Sequence, residues 1–364
     1  MTTSAAVRRD GGGRPYPGRP SSFGPATVVW GLTWRPAAGE GERMSGAGET
    51  RDGVSLTNLD QPLFEGADAT KRDLVDYLDA MRDRILPALR GRPLSVVRVL
   101  RGQDPFMQKN VPKYAPPWVA TVTLWAETSR RKVSYALCDD RRTLLWFANQ
   151  RAVEYHPALI LAGDRAHATH LVLDIDPPDG GAFAEAAGAA RLVRRVLADV
   201  GMAGVVKTSG AKGLHVFVPI AEAPHEEVAA ATRAVAARAE RLDPGLATTN
   251  FIREDRAGKV FLDSTRSGGA TTVAAAYSPR VRPGAPVSFP LAWDDLDTVT
   301  PADFTIRTVP GLVADRDPWA EEMPEPRPLD PGLVEEGRTI PVARVQAMHE
   351  GKRRARARRA KEAP

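Results

Sequence analysis

Through the middle of the chain, apolar positions recur first at helical and then at strand spacing, and the pattern predicts most of a fold. Thr70-Lys71-Arg72-Asp73 reads as a capping box with Thr70 as N-cap, and Leu74, Leu78, Met81 and Ile85 form the buried stripe of the helix it opens. Strand-like runs follow at 95–99, 119–125 and 133–137, then a helix at 144–153, giving a first α/β lobe. His167–Asp176 alternates as a strand, and Phe183–Val200 is an amphipathic helix. Gly204–Thr208 and Leu214–Pro219 are the arms of a hairpin-like unit around a Ser-Gly loop. Glu226–Leu242 is another helix, and Lys259–Asp263 is the last strand. The order strand, helix, strand, strand, helix, strand predicts an α+β lobe built on a ferredoxin-like sheet. Trp118, Trp125 and Trp146 are expected to pack inside the lobes.

Outside this region the pattern fades. Residues 1–50 are rich in Gly, Pro, Ser and Arg without a sustained apolar period and are expected to be disordered; Met44 marks a candidate later start. After Asp303 the chain is Pro-rich and weakly periodic. The expected organisation is therefore an extension at 1–50, a catalytic region at 51–320 with lobes over 54–160 and 161–300, and a Pro-rich, basic tail at 321–364.

The net charge of +5 over 364 residues changes this picture little, because the last fifteen residues carry seven basic against two acidic side chains and account for all of it. That tail is expected to be either a solvated terminus or an arm for phosphate backbone. The single cysteine, Cys138, excludes an intramolecular disulfide and any cysteine-rich metal site, as suits a reducing cytoplasm. No apolar run reaches membrane-spanning length, and no signal peptide opens the chain, so a cytoplasmic protein is expected.

The chemistry concentrates in two segments. In a strand, residues i and i+2 share a face, so Asp174 and Asp176 point together while Leu171, Leu173 and Ile175 point into a core. Paired carboxylates repel and are tolerable beside a hard divalent cation such as Mg²⁺ or Mn²⁺, although aspartates at strand ends also cap turns. In Ser209-Gly210-Ala211-Lys212-Gly213-Leu214-His215, two glycines flank a lysine in a tight turn. There, backbone amides, the Ser209 hydroxyl and the Lys212 ammonium can meet phosphate, and His215 leaves on the following strand. A strand follows the turn where a Walker A loop would have a helix, and a glycine-rich hairpin with a surface lysine is the plainer alternative. Asp263 ends a third apolar strand; it is either a third acidic ligand of a two-ion site or a structural cap.

Taken with Gln108-Lys109-Asn110, Glu154-Tyr155-His156-Pro157, Thr271-Thr272-Val273-Ala274 and Tyr277-Ser278-Pro279-Arg280, these segments resemble the polymerase domain of bacterial ATP-dependent DNA ligase D, of the archaeo-eukaryotic primase superfamily. The likeness runs from about Leu56 to Pro318. It implies a primase-type two-lobed α+β fold whose ferredoxin- or RRM-like catalytic sheet is packed by helices. Asp174, Asp176 and Asp263 then bind two Mn²⁺ or Mg²⁺ ions. Ser209, Gly210, Lys212, Gly213, His215 and Arg280 hold the triphosphate of an NTP or dNTP, His156 lies near its sugar, and Lys71, Phe106 and Lys109 meet DNA. The implied function is primer extension and gap filling at double-strand breaks in non-homologous end joining, alongside Ku.

Two departures stand out. Gln61 replaces a lysine that helps the family grip a 5′-phosphate, and Ser264-Thr265-Arg266-Ser267 replaces a sequence that usually contains Gln-Asn. No Lys-x-Asp-Gly ligase motif occurs, so sealing is expected from a separate ATP-dependent ligase. A non-catalytic DNA-end-binding scaffold and a two-metal phosphohydrolase are the competing functions.

Overall fold

The computed structural model describes residues 49–126, 130–269, 271–314 and 316–342. The expectations for residues 1–48 and for the basic run at 352–359 fall outside the described residues. Strands β1 (Glu49–Arg51) and β2 (Val54–Leu56) pair antiparallel, so strand structure reaches into the end of the stretch expected to be disordered.

Helices α1 (Lys71–Ala80) and α2 (Arg82–Leu89) meet at Met81. The capping box forms: Thr70 Oγ1 accepts from the Asp73 amide, and the Asp73 carboxylate accepts from the Thr70 amide at 2.7 Å. Leu74, Leu78, Met81 and Ile85 are all buried. Strands β3 (Leu94–Arg98), β4 (Phe106–Gln108), β5 (Thr121–Ala126) and β6 (Arg131–Ala136) form a sheet ordered β4-β3-β6-β5, which β7 (Ala152–Pro157) joins by pairing with β3.

The helix expected at 144–153 needs correction. Helix α3 (Arg141–Asn149) starts three residues earlier, on the N-cap Asp140, and ends before Arg151, whose φ of 60° is left-handed. Then β7 begins. All six of its residues are buried, and a strand covered on both faces shows no alternation, which hid it within an apolar run. Trp146 is buried as expected and Trp118 packs 4.2 Å from the Arg142 guanidinium, but Trp125 is exposed on β5.

The second sheet carries the chemistry. Its elements are β8 (His167–Asp176), α4 (Phe183–Asp199), β9 (Val205–Thr208), β10 (Leu214–Pro224), α5 (His225–Leu242), β11 (Ala247–Thr248), β12 (Val260–Asp263) and β13 (Pro290–Leu291). The strand order is β11-β12-β8-β10-β9-β13. In its central four strands each neighbouring pair is antiparallel, in the ferredoxin-like order predicted from the strand and helix sequence. Leu171, Leu173 and Ile175 enter the core with Ala186, Val193, Val228 and Val235 of α4 and α5. The opposite face of β8 carries Val172, Asp174 and Asp176.

Beyond the sheet lie α6 (Val309–Val313), α7 (Pro318–Glu322) and α8 (Pro331–Thr339). The fold thus continues past residue 320, where a tail was expected. Helix α8 buries Leu333 and Val334 against the core, while Arg238 and Arg241 of α5 each reach Glu336 at 2.7 Å. Contact is closest at Gly337, where an added Cβ would lie 1.8 Å from the Ala230 carbonyl oxygen. Gly337→Ala is therefore expected to destabilise the protein by roughly 1–3 kcal/mol, measured by denaturant unfolding. An unchanged midpoint would mean that α8 does not seat this closely. Among the described residues no helix is long and apolar enough to cross a membrane.

Candidate active site

Register across the second sheet aligns four polar residues from four strands. Asp263 of β12 faces Asp174 of β8, Asp174 faces His215 of β10, and His215 faces Lys207 of β9. Because alternate residues share a face, Asp176 joins the acidic end of this row. The adjacent pair on β8 and the sequence-distant Asp263 thus meet on one face.

Their environment is electrostatically frustrated. Burial, followed by the charges of Asp174 and Asp263, pushes the Asp176 carboxyl up to about 6. Burial also raises Asp174, against the opposing pull of Arg266, Lys207 and Arg280. Asp263 divides its two oxygens: Oδ1 accepts from the Thr265 amide at 2.8 Å, while Oδ2 lies 3.2 Å from Arg266 Nε. The capping role foreseen as an alternative for Asp263 is therefore real and uses one oxygen. Arg266 Nε is also 3.3 Å from Asp174 Oδ2, so one guanidinium bridges two acids. Among the described residues no three His, Cys, Asp or Glu side chains are gathered at cation-holding spacing.

His215 is held on both sides. Its Nδ1 is 2.7 Å from Lys207 Nζ, and its Nε2 is 3.3 Å from Asp174 Oδ1. Lys207 is fully buried and also donates to the Ser288 hydroxyl, which in turn donates to the Thr208 carbonyl at 2.7 Å. Burial and then the Lys207 charge hold the His215 ring neutral. With Lys207 as donor to Nδ1, the ring proton sits on Nε2 and faces Asp174.

The Ser209–Gly213 turn closes on itself: the Ser209 amide donates to the Gly213 carbonyl at 2.8 Å. The Ala211 and Gly213 amides both donate to Ser209 Oγ at 3.2 Å. Those amides were expected to approach a phosphate; here they are spent on the hydroxyl, and side chains form the basic wall. Both glycines are sterically required. Gly210 has φ 69°, and a Cβ there would lie 2.5 Å from Arg280 Cγ. A Cβ on Gly213 would lie 2.1 Å from the Ile175 carbonyl oxygen, which shows how tightly the turn abuts the aspartate strand.

Arg280 donates to the Ser209 carbonyl and lies 3.1 Å from Glu154 Oε2. Glu154 also meets His156 Nε2 at 2.8 Å and accepts from the Val281 amide at 2.8 Å. Burial pushes the Glu154 carboxyl up, but His156, Arg280 and the amide outweigh it and leave it at about 2. Glu154 is therefore a permanent carboxylate that fixes His156 and Arg280. Lys212 reaches outward to Asp179 at 2.7 Å. Asp174, Asp176, Ser209, Lys212, His215, Arg266 and Arg280 line one cavity of about 740 Å³.

The residues expected to meet DNA are less uniform. Lys109 is exposed after β4, and the Phe106 ring lies 5.9 Å from the Arg98 guanidinium. Lys71 requires correction. It is only 3% exposed, and its Nζ donates to the Thr57 carbonyl at 2.5 Å and to Asn149 Oδ1 at 2.6 Å. Burial and then Arg151 lower its pKa to about 8. In this conformation Lys71 ties the start of α1 to the end of α3. Gln61 lines a second groove, of about 940 Å³, whose positive charge comes from Arg101, Arg151 and Arg282.

Lys207, Glu154 and Arg266 carry much of this geometry, and sequence reasoning assigned none of them a role. The signal was present for two of them: a charge inside an otherwise apolar strand, as in Val205-Val206-Lys207 and Val153-Glu154-Tyr155, must find a partner.

Comparison with known proteins gives a consistent result. The profile of the family described as LigD, primase-polymerase domain, matches residues 70–319. The multifunctional non-homologous end joining DNA repair protein LigD of Mycobacterium tuberculosis is 35% identical over 265 residues, which is 70% of this chain and 34% of that protein. The bifunctional non-homologous end joining protein LigD of Bacillus subtilis is 33% identical over 261 residues, 70% of this chain and 42% of that protein. The chain thus spans well under half the length of these relatives. Among solved structures, the polymerase domain from Mycobacterium tuberculosis ligase D in complex with DNA matches with a TM-score of 0.68 and 32% identity, covering 74% of this chain and 99% of that one.

Proposed function

The chain belongs to the LigD primase-polymerase family, and from that premise we propose that it extends DNA primers and fills gaps at double-strand breaks during non-homologous end joining. The reaction adds NTP or dNTP to a 3′-hydroxyl: its oxygen bonds to the α-phosphorus, the bond to the β-phosphate breaks, pyrophosphate departs and the hydroxyl proton passes to solvent. One observation carries the reading. Asp174 and Asp176 share a single cavity with Ser209, Lys212 and Arg280, and Asp263 stands opposite Asp174 on the neighbouring strand.

The acids fit a hard cation by chemistry: oxygen donors only, crowded on one face, with mutual repulsion that one arginine only partly offsets. Two Mn²⁺ or Mg²⁺ ions held by Asp174, Asp176 and Asp263 would lower the pKa of the attacking hydroxyl and neutralise charge on the leaving pyrophosphate. The protein's own groups do the rest. Lys212, Ser209 and Arg280 grip the triphosphate, with Arg280 set in place beforehand by Glu154. His215, neutral and proton-bearing on Nε2, orients Asp174. His156 stands beside the sugar. Phe106 and Lys109 meet the DNA, with Arg101 and Arg282 sharing the phosphate grip that Gln61 weakens. Ku and a separate ATP-dependent ligase complete the repair in the cytoplasm, at the nucleoid.

A labelled primer on a 5′-phosphorylated gapped duplex, with Mn²⁺ and each nucleotide in turn, tests this directly. The expected product is an addition chosen by the template base. Binding without addition would indicate a scaffold, a reading to which the Arg266 bridge lends some support. Consumption of NTP without primer growth would indicate a phosphohydrolase.

A pH dependence follows from Asp176. Cation binding requires the carboxylate, so with a pKa of about 6 the Mn²⁺ affinity should fall about tenfold per unit below pH 6 and level off above it. In metal-free protein the sign reverses for stability: a raised carboxyl pKa means that the folded state binds more protons, so stability declines as pH rises from about 4 to 6. Melting curves at several pH values, with and without Mn²⁺, check both; a flat Mn²⁺ affinity across pH 5–7 would contradict the assignment.

A further inference from the structure

Arg266 sits where a cation belongs. It ends the short helical turn Ser264–Arg266 that follows β12, and the turn is fixed at both ends. Asp263 Oδ1 accepts from the Thr265 amide, while Ser267 Oγ accepts from the Val172 amide at 2.7 Å and donates to the Val172 carbonyl at 2.9 Å. The turn is thereby stapled to β8, and Arg266 returns over the acids with Nε 3.2 Å from Asp263 Oδ2 and 3.3 Å from Asp174 Oδ2. The contact is electrostatic but poorly directed. Nε is buried and finds no well-aligned hydrogen-bond acceptor, although the side chain is 44% exposed along the same cavity. A buried carboxylate pair stabilised by a bidentate fork would hold its arginine firmly; this one is held mainly by charge, with a lesser hydrogen-bond contribution from Asp174.

We propose that Arg266 is a built-in counter-ion of the aspartate trio, a positioning residue that occupies the acids in the metal-free protein and must yield its place to the divalent cation. This rests on the cation site proposed above and adds that the site is guarded. Arg266 then sets a threshold: the cation must outcompete a tethered charge, so the affinity for metal alone is weaker than the three carboxylates would otherwise give. Once displaced, the guanidinium remains in the cavity that Lys212 and Arg280 line, where positive charge favours a nucleotide triphosphate.

The test is Mn²⁺ titration of the full chain without nucleotide, followed by electron paramagnetic resonance of the free ion, for the wild type, Asp263→Asn, Arg266→Gln, Arg266→Met and Arg266→Lys. Asp263→Asn addresses the cation site itself: wild-type Mn²⁺ affinity in that variant overturns the site and the guard together. If Asp263→Asn loses binding, the neutral Arg266 variants decide the guard. The expected result is Mn²⁺ binding about tenfold tighter, or more, in Arg266→Gln and Arg266→Met, with Arg266→Lys closer to wild type because it keeps the charge. Equal or weaker binding in both neutral variants overturns the proposal and leaves the cation site standing. Failure of both neutral variants to fold, even with Mn²⁺ present, also overturns it, because it would make Arg266 a structural residue.

Discussion

Asp174→Ala combined with Asp176→Ala is expected to reduce templated nucleotide addition by roughly 10³-fold or more while leaving the protein folded. Cation charge at the reacting phosphate supplies several kcal/mol of transition-state stabilisation, and each 1.4 kcal/mol is about tenfold in rate. Stability should move the other way. The two acids are crowded with Asp263, burial penalises both, and each carboxyl is pushed above its ordinary value. Removing them relieves repulsion, so without metal the double variant should melt at or above the parent temperature near pH 7. Primer extension together with a melting curve separates the possibilities. Lost activity with an intact melt supports a chemical role, whereas retained activity rejects the acids as the metal site.

Gly213→Ala is expected to be the most damaging single-methyl change in the site. Its Cβ would lie 2.1 Å from the Ile175 carbonyl oxygen and 3.2 Å from the carbonyl carbon, so backbone rather than a flexible side chain must move. The turn would lift from β8, and with it Ser209, whose carbonyl accepts from Arg280 and whose Oγ accepts from the Gly213 amide. A loss of about 1–3 kcal/mol is expected from the strain, together with a raised KM for nucleotide. Gly163→Ala, with no atom within 4 Å of the added methyl, is the control and should change neither. If Gly213→Ala behaves like that control, the turn is not clamped to the aspartate strand.

How much of this was readable beforehand depends on whether a feature is local. The ferredoxin-like unit was legible because β8 and β12 carry their apolar faces in register with the core and because α4 and α5 have strong stripes. The pairing of β9 with β10 follows from the short turn between them. Strand β7 was not legible, because burial on both faces erased its period and the left-handed Arg151 that separates it from α3 carries no glycine signal. Helix α8 was missed because its seating depends on the absence of a side chain at Gly337 rather than on a broad apolar stripe. The site divides in the same way. Asp174, Asp176 and the Ser209–His215 turn announce themselves by spacing. Glu154, Lys207 and Arg266 act through Arg280, His215 and Asp174, each on a different element, and only the fold brings these partners together. Lys71 shows the converse: a lysine that opens a helix looks like a surface contact, but Thr57 and Asn149 draw it inside.

The central claim is that three acids from two strands hold divalent metal opposite the Lys212 turn. Its most direct test is anomalous X-ray scattering at the manganese edge from crystals soaked with Mn²⁺ and a nucleoside triphosphate. Manganese density within coordination distance of Asp174, Asp176 and Asp263, with Arg266 turned away from the acids and the triphosphate against Ser209, Lys212 and Arg280, is the predicted result. Manganese bound elsewhere, with Arg266 still bridging Asp174 and Asp263, would contradict it.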